Sequence, residues 1–301
     1  MMRYRYHEAC APDHMQLPKL IVFIILGVHV LSASCTKEHS AENPLSGGRP
    51  LGNDCAVTTV TPYDPASGHG YGSLHVTTGT NDLTTKIEWF DSSSGRMAYH
   101  AMFTYIKDTI RISKNEFFVL DSDGRIREFN TLENPPDPGS EHYKYIYTYD
   151  AGGHLVNKKW FLPAYSSDVP FFTYKYEWAN ENLVNIEVNE ATGNKRLALK
   201  AELLYNDAKV VKNFVYFFPD SDELAPYIFS VNVGKKSRNL LEKITVRIYD
   251  SDGKEIKAYT TEYRNYKFSP DDYVTELYAS GDTVDGQPLI NGLTRFEYNC
   301  K

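Results

Sequence analysis

Apolar and polar side chains alternate along most of the chain after residue 55, with the period of two that is typical of β-strands. The clearest example is Tyr143–Trp160, where tyrosine occupies every second position from Tyr143 to Tyr149 and the sequence Asp150–Gly153 follows. An aspartate can bond its own backbone in a turn, and glycine adopts positive φ without steric cost. The stretch therefore predicts a β-hairpin.

Degenerate copies of this hairpin recur along the chain. Turn sequences begin about 28 to 30 residues apart, near Asp91, Asp121, Asp150, Trp178 and Asn206. Such a spacing is typical of a repeat array. Pro219–Pro226 and Gly234–Ser237 interrupt the rhythm as inserted loops, and the alternation returns at Ile244.

The alternation also assigns faces to the strands. In Phe172–Trp178 one face is aromatic, and in Ile244–Ile248 the corresponding face is aliphatic. Arg196–Leu204 has a helix-forming composition, but its leucines alternate in phase with the repeat, so we predict a strand. The expected fold is all-β: repeated antiparallel β-hairpins over residues 55–301 that form a long twisted meander sheet, partly rolled.

The first 34 residues have the features of an export signal. Leu20–Leu31 is strongly apolar but too short to span a bilayer as a helix, and small residues follow it. The segment before Met15 does not fit a signal peptide, whereas Met15–Lys19 is short and carries one positive charge. We therefore predict a signal region at 1–34 in which translation begins at Met15.

Ser32–Cys35 resembles a bacterial lipobox, after which Cys35 would carry a diacylglyceryl group. Leu31 lies four residues before the cysteine, whereas the usual pattern has leucine three before, so ordinary cleavage after Ser34 is the alternative. Lipidation of Cys35 leaves an even number of cysteines in the exported chain. The prediction is a lipid-anchored protein of the bacterial outer membrane, on its periplasmic face or the cell surface, with residues 35–54 forming the lipidated cysteine and a flexible tether.

Cys55 and Cys300 flank the first and last predicted strands of the folded domain. In an oxidising compartment they can form a disulfide that closes nearly the whole domain. The chain-entropy model gives such a loop at most about 5 kcal/mol. Two unpaired thiols are the alternative.

Charge and motifs exclude several classes of function. The net charge of −7 is dispersed and no basic block is present, so nucleic acid is not an expected partner. The chain has no zincin, Cys-x-x-Cys, P-loop or nucleophile-elbow motif, and no cofactor or metal is expected. Asp121–Gly124 and Asp250–Gly253 fit hairpin turns better than calcium loops. His69 with His75, and Glu187 with Glu190, form pairs that no motif supports as a metal or glycosidase site.

Aromatic side chains are the feature with the most functional promise, because rings on a rigid sheet can stack on sugars or contact a partner protein. The alternative is that the same rings form the core of the repeat. The candidate binding residues are Trp89, Trp160, Trp178, Tyr174 and Tyr176.

The pattern Tyr-x-Tyr-Asp-x-x-Gly-x-Leu at Tyr147–Leu155, echoed at Ile248–Ile256, resembles the YD/RHS-type repeat. In an exported lipoprotein it is similar to a family of Bacteroidota lipoproteins (DUF4595-like). The resemblance covers roughly Asp82 to the C-terminus. It implies an antiparallel β-meander with a surface or outer-membrane role, and it implies no catalytic residue.

The sequence therefore predicts a non-enzymatic outer-membrane or surface lipoprotein that binds a glycan or protein partner through an aromatic-rich β-sheet. A purely structural envelope lipoprotein is the first alternative. A glycan-active enzyme whose carboxylates the sequence does not locate is the second.

Overall fold

The structure is a computed structural model that describes residues 55–64, 67–79, 83–92, 94–132, 142–163, 166–192, 196–210, 227, 230–284, 287–288 and 292–300. The predicted signal region, Cys35, the tether and the loop Pro219–Pro226 lie outside the described residues. Within those ranges, no helix has the length and apolarity needed to cross a membrane.

Nineteen strands account for most of the described chain. They are β1 Ala56–Pro62, β2 Gly72–Thr78, β3 Thr84–Asp91, β4 Met97–Met102, β5 Thr104–Ile106, β6 Thr109–Arg111, β7 Phe117–Leu120, β8 Ile126–Leu132, β9 His142–Tyr149, β10 Leu155–Phe161, β11 Phe172–Ala179, β12 Asn182–Glu190, β13 Leu197–Val210, β14 Asn239–Tyr249, β15 Glu255–Phe268, β16 Val274–Gly281, β17 Thr283–Val284, β18 Gln287–Pro288 and β19 Gly292–Asn299.

Seventeen of these strands form one antiparallel sheet that closes on itself. The strands follow one another round the sheet in chain order, except that β16 is next to β19 and that β4 continues directly into β5. β1 pairs with β2 on one edge and with β19 on the other. The predicted all-β meander of antiparallel hairpins is confirmed, and its partial rolling goes as far as near closure. Closure removes most of the exposed edges that an open sheet leaves unpaired.

The repeated Asp-x-x-Gly turns share one geometry. Asp121 Oδ1 accepts hydrogen bonds from the backbone N–H groups two and four residues later, both at 2.9 Å, and Asp250 Oδ1 does the same. Gly124 and Gly253 have φ of +72° and +76°, which a side chain would strain. The aspartates therefore shape the turns. The Asp121 and Asp150 turns lie at one end of the sheet, which we call the turn end, whereas the Asp250 turn lies at the opposite end, which we call the loop end.

One predicted turn is wrong. The sequence Asn206-Asp207 favours a turn, but β13 continues through it to Val210 and stays paired with β14. The register shifts at Leu204/Tyr205 and between Asn206 and Val210, so bulges absorb the turn-forming residues. The strand predicted for Arg196–Leu204, despite its helix-forming composition, is correct.

The inner face of the closed sheet is apolar and the outer face is charged. Buried residues alternate with exposed ones along the strands, and the buried set forms a single continuous core. Outward side chains form ion pairs, such as Lys175 with Glu177 at 2.7 Å and Lys144 with Glu128 at 3.0 Å. Each strand thus has one dry and one wet face, as in other antiparallel sheets.

The chain between β13 and β14 crosses the turn end. Backbone hydrogen bonds join Asn232 to Ile126, Lys235 to Gly153 at 2.8 Å, and Arg238 to the turn after β11. Tyr227, earlier in the same connection, is buried against rings of β7 and β8. This crossing segment therefore fixes three successive hairpin turns relative to one another.

Candidate functional site

A ladder of stacked rings runs across five neighbouring strands on the inner face. Its members are paired in register from β7 to β11 and are Phe118, Phe129, Tyr145, Trp160 and Phe172. Successive centroids lie 4.2, 6.2, 6.1 and 5.3 Å apart, with interplanar angles between 11° and 22°. Aromatic pairs of this kind add about 0.5–1.5 kcal/mol each beyond the area they bury. We call this set the aromatic ladder.

The ladder rises from the core to the surface at the loop end. Phe118 and Phe129 are fully buried, whereas Trp160 and Phe172 are only partly buried. Phe171 lies edge-on against both of these rings, at 5.5 and 4.9 Å, and is 37% exposed. Its position gives the ladder an accessible end.

Two further residues complete this accessible end. Tyr143 packs edge-on against Trp160 at 5.5 Å, and Val169 is 49% exposed in the connection that precedes Phe171. We call Tyr143, Trp160, Phe171 and Phe172 the rim cluster. It is the point where the apolar interior of the described chain reaches solvent through contiguous rings.

A rigid polar group borders the rim cluster. Glu190 is paired in register with Phe172, and Arg196 donates to both of its carboxylate oxygens at 2.7 Å. The two side chains are each 17% exposed. A bidentate pair of this kind holds its geometry well, so it fixes the border of the cluster.

The five aromatic residues singled out from sequence have three different fates. Trp89, Tyr174 and Tyr176 are buried in the core, with at most 7% exposure, so their rings are not accessible to a ligand. Trp178 is partly buried at the turn end, where its Nε1 donates to the Leu155 carbonyl oxygen at 2.8 Å. Trp160 alone belongs to the rim cluster. The burial of Trp89, Tyr174 and Tyr176 fits the alternative that the aromatic rings form the core.

Trp160 itself offers no free ring face. Tyr145 stacks on one side and Phe172 on the other, and its Nε1–H is buried without an acceptor among the described residues. A sugar needs an open face for stacking. The accessible ring is Phe171, which sequence analysis did not single out because Phe171 and Phe172 are consecutive and only the cross-strand register shows which one leaves the ladder.

Lys158 is a second residue that sequence reasoning missed. It is fully buried on the inner face, and its Nζ lies 3.9 Å from the ring centroid of Tyr174 and 5.8 Å from that of Tyr145. Cation–π contacts of a desolvated ammonium contribute about 2 kcal/mol. The sequence feature that could have predicted its burial is its place in the alternation of β10, midway between Val156 and Trp160.

A chain of hydroxyl groups joins three distant parts of the molecule. Tyr99 donates to the hydroxyl oxygen of Tyr227 at 2.7 Å, and Tyr227 donates to Glu116 Oε1 at 2.7 Å. Thr131 donates to the same carboxylate oxygen at 3.1 Å. Burial raises the pKa of both tyrosines well above the ordinary value, so the two hydroxyl groups stay protonated and the network acts as a structural brace.

The cysteines at the ends of β1 and β19 form a disulfide. Cys55 and Cys300 are joined across 245 residues of sequence, next to the first backbone pair of these two strands. Asp271 lies near enough that one oxygen and the two sulfurs fall within 4.8 Å of one another. Because both sulfurs are bonded to each other, they are not thiolate ligands in this state. Tyr273 Oη accepts a bond from the Cys55 backbone N–H at 3.2 Å.

Comparisons with known proteins find solved structures that resemble this fold. No family model and no curated protein matches the chain. A porin-like protein from Bacteroides uniformis has a similar structure, with a TM-score of 0.56 and 11% identity over 80% of this chain and 96% of that one. A porin-like protein from Bacteroides vulgatus has a TM-score of 0.47 and 15% identity, covering 82% and 99% of the two chains. The first of these likenesses shows that the closed antiparallel sheet is shared with a solved bacterial protein of similar length.

Proposed function

We propose that this chain is an exported, non-enzymatic lipoprotein of the outer membrane or cell surface that binds a protein partner at the rim cluster. The observation that carries the proposal is the exposure of Phe171, edge-on to a sandwiched tryptophan at the end of a rigid ladder. Rings held in this way lose little conformational entropy on binding and are typical anchors of protein interfaces.

The geometry favours a protein over a glycan at this site. The faces of Trp160 are covered by its neighbours, so carbohydrate stacking has only one ring to use. The exposed ring of Phe171 instead lies beside the fixed Glu190–Arg196 pair, because the carbonyl oxygen of Phe171 accepts a hydrogen bond from the backbone N–H of Ala191 at 3.0 Å. An apolar centre with a polar border is the common anatomy of protein interfaces.

The charged outer face of the sheet favours a membrane anchor that is separate from the sheet. A lysine or arginine that points into hydrocarbon costs about 2–4 kcal/mol at the bilayer midplane. Lys175 of β11, Lys200 of β13 and Arg247 of β14 point outward and pair with glutamates there. The outer face therefore favours water, and the proposal assigns membrane contact to a lipid on Cys35. Replacement of Cys35 by serine should release the protein from the membrane fraction; retention there would contradict the anchor.

Site-specific photo-crosslinking in intact cells tests the binding surface. A photoreactive residue at position 171 should give one discrete protein adduct, identified by mass spectrometry. The matched control is position 256, because Ile256 is 60% exposed but lies outside the cluster. Equal adducts at both positions, or none at 171, would contradict the proposal.

A glycan array probed with the mature chain and with Phe171→Ala separates the remaining classes. Glycan binding that is lost in the variant would replace the protein partner by a glycan. Release of a cleaved sugar would show an enzyme. The DUF4595-like resemblance, which rests on two short motifs, stays a prediction and is compatible with either kind of partner.

A further inference from the structure

One edge in the closed sheet is left open. The backbone N–H of Phe103 donates to the Thr85 carbonyl oxygen at 2.9 Å. The backbone groups of Ala101 and Tyr99, two and four residues earlier, therefore also point toward β3. Backbone groups alternate in direction along an antiparallel strand. The N–H and C=O groups of His100 and Met102 therefore point away from β3, toward the other edge.

The part of that edge at Thr104 is occupied, whereas the part at His100 and Met102 has no neighbour in the described chain. Thr104 is paired with Arg111 of β6. β6 then ends, because Ile112 and Ser113 both donate to the Glu116 carbonyl oxygen, at 2.9 and 3.0 Å, and the chain turns away. Among the described residues, no backbone group pairs with His100 or Met102 on this side. We call this stretch the free edge of β4.

Exposed apolar side chains concentrate on the same continuous strand. Seven large hydrophobic side chains are exposed in the described chain, and three of them are Met97, Met102 and Ile106, at 47%, 54% and 50%. β4 contains no Lys, Arg, Asp or Glu, although charged residues are the usual protection of a free edge. Methionine side chains adapt to many partner shapes.

Tyr227 packs against the inner side of the free edge and holds it in place. Tyr99 and Glu116 lie on opposite sides of the gap, and both bond to the Tyr227 hydroxyl at 2.7 Å. Tyr227 is further held by Phe103 and Phe118 in edge-on contacts at 6.1 and 5.6 Å. The edge is thus held in extended form before anything pairs with it, which lowers the entropic cost of adding a strand.

We propose that the free edge of β4 accepts an extended segment of a protein partner as an additional antiparallel or parallel strand. His100 and Met102 supply two donors and two acceptors, and alternate side chains of the added segment lie beside the exposed methionines. Because β4 lacks charge, the segment is uncharged at these positions, with β-branched or aromatic residues at every second place. This surface is separate from the rim cluster and does not depend on it.

A second copy of this chain fits the edge poorly. β6 occupies the same edge just below His100, paired with β5. In a twofold β4–β4 pairing, the β6 of the second copy would need the space of the turn between β3 and β4. A single strand from another protein meets no such obstacle in the part of the chain that the structure describes.

Peptide selection with a backbone control tests the proposal. The mature chain is used to select from a phage library of random heptapeptides, and an enriched peptide is synthesised. His100→Pro removes one donor on the free edge, whereas His100→Thr keeps it. We expect at least tenfold weaker binding to His100→Pro, unchanged binding to His100→Thr, and unchanged binding to Phe171→Ala.

A second measurement protects the test against misfolding of the proline variant. A peptide that is N-methylated at alternate residues should bind the wild-type chain at least tenfold more weakly in one methylation phase and normally in the other. Equal binding in both phases, no enrichment of extended peptides, or a concentration-dependent dimer that His100→Pro abolishes would overturn the proposal. Loss of the crosslink at position 171 with retained peptide binding would instead count only against the rim cluster.

Discussion

Two adjoining regions of the closed sheet fill the same interior with different chemistry. Strands β7–β11 present the aromatic ladder, in which each ring touches the next across the strands. Strands β12–β14 present buried aliphatic side chains, among them Ile186, Leu203 and Val246. Outside, the aliphatic region carries a network in which Arg247 bridges Glu202 and Glu255.

The difference shows how one alternating pattern of apolar and polar residues yields two kinds of inner face in the same sheet. The short side chains Ile186, Leu203 and Val246 are buried, whereas Leu199 and Ile248 of the same region are partly buried. The aromatic ladder reaches the loop end, where Phe171 packs edge-on against its last two rings and is exposed. The aromatic region thus combines core packing with a candidate contact surface, whereas the aliphatic region serves packing alone.

The largest expected effect is on the ladder. Phe129→Ala should lower the free energy of unfolding by about 3–5 kcal/mol, because the ring is fully buried between two others. It should also shift the fluorescence of Trp160, two rings along. Ile186→Ala is the matched change in the aliphatic region and should cost about 2–5 kcal/mol without that shift. Similar spectral changes in both variants would remove the distinction between the regions. Denaturant unfolding and emission spectra provide the measurements.

Removal of the disulfide should weaken the pairing of β1 with β19, which belongs to neither of the two regions. The double variant Cys55→Ser with Cys300→Ser should lose about 2–5 kcal/mol. Because the bond lies beside the first pair of β1 and β19, amide exchange should accelerate most in these two strands. β8 and β9, which the ladder joins, should keep their protection. Uniform acceleration in hydrogen-exchange mass spectrometry would show that the ladder does not stabilise its region independently.

High pH should destabilise the folded chain through its buried tyrosines. Burial raises the pKa of Tyr149 beside the ladder and of Tyr205 in the aliphatic region. The folded chain therefore keeps protons that the unfolded chain loses above pH 10, and this contribution to stability is present below pH 10 and lost above it. The loss is about 1.4 kcal/mol for each such tyrosine and pH unit. Absorbance at 295 nm should show these residues ionising together with unfolding; ionisation at pH 10 in a folded chain would contradict their burial.

The smallest effect is expected on the outer face. Arg247→Ala should cost less than about 1 kcal/mol, since exposed ion pairs contribute little. Hydrogen bonds from Arg247 lower the pKa of Glu202, so the contribution is present above pH 4.5 and is lost as the pH falls through the lower folded value. Unfolding curves at pH 7 and pH 3 measure it. A cost of several kcal/mol would mean that the network, rather than the core, stabilises the aliphatic region.

The sequence predicts the hairpins well and their pairing less well. Alternation and Asp-x-x-Gly turns place β9–β12 and β14–β15 correctly, because both signals are local. The turn predicted at Asn206 is wrong, since pairing with β14 overrides local turn preference there. Closure between β1 and β19 depends on contacts between the two ends of the domain, which local patterns do not encode.

The candidate sites were harder to predict for the same reason. Alternation shows that Trp89 and Tyr174 face one side, but whether that side is core depends on closure of the sheet. The sandwiching of Trp160 and the exposure of Phe171 follow from cross-strand register. The free edge of β4 follows from the early end of β6, which has no signal in composition.

The disulfide between the first and last strands of the sheet has a mechanical consequence. A pull on the chain upstream of Cys55, against a load held at the loop end, acts along β1 and would otherwise load this strand alone. The covalent link passes the tension to β19 as well, so that two strands must shear along their length together. Shearing breaks many hydrogen bonds at once, and a domain linked in this way should resist a pulling force better than its equilibrium stability suggests.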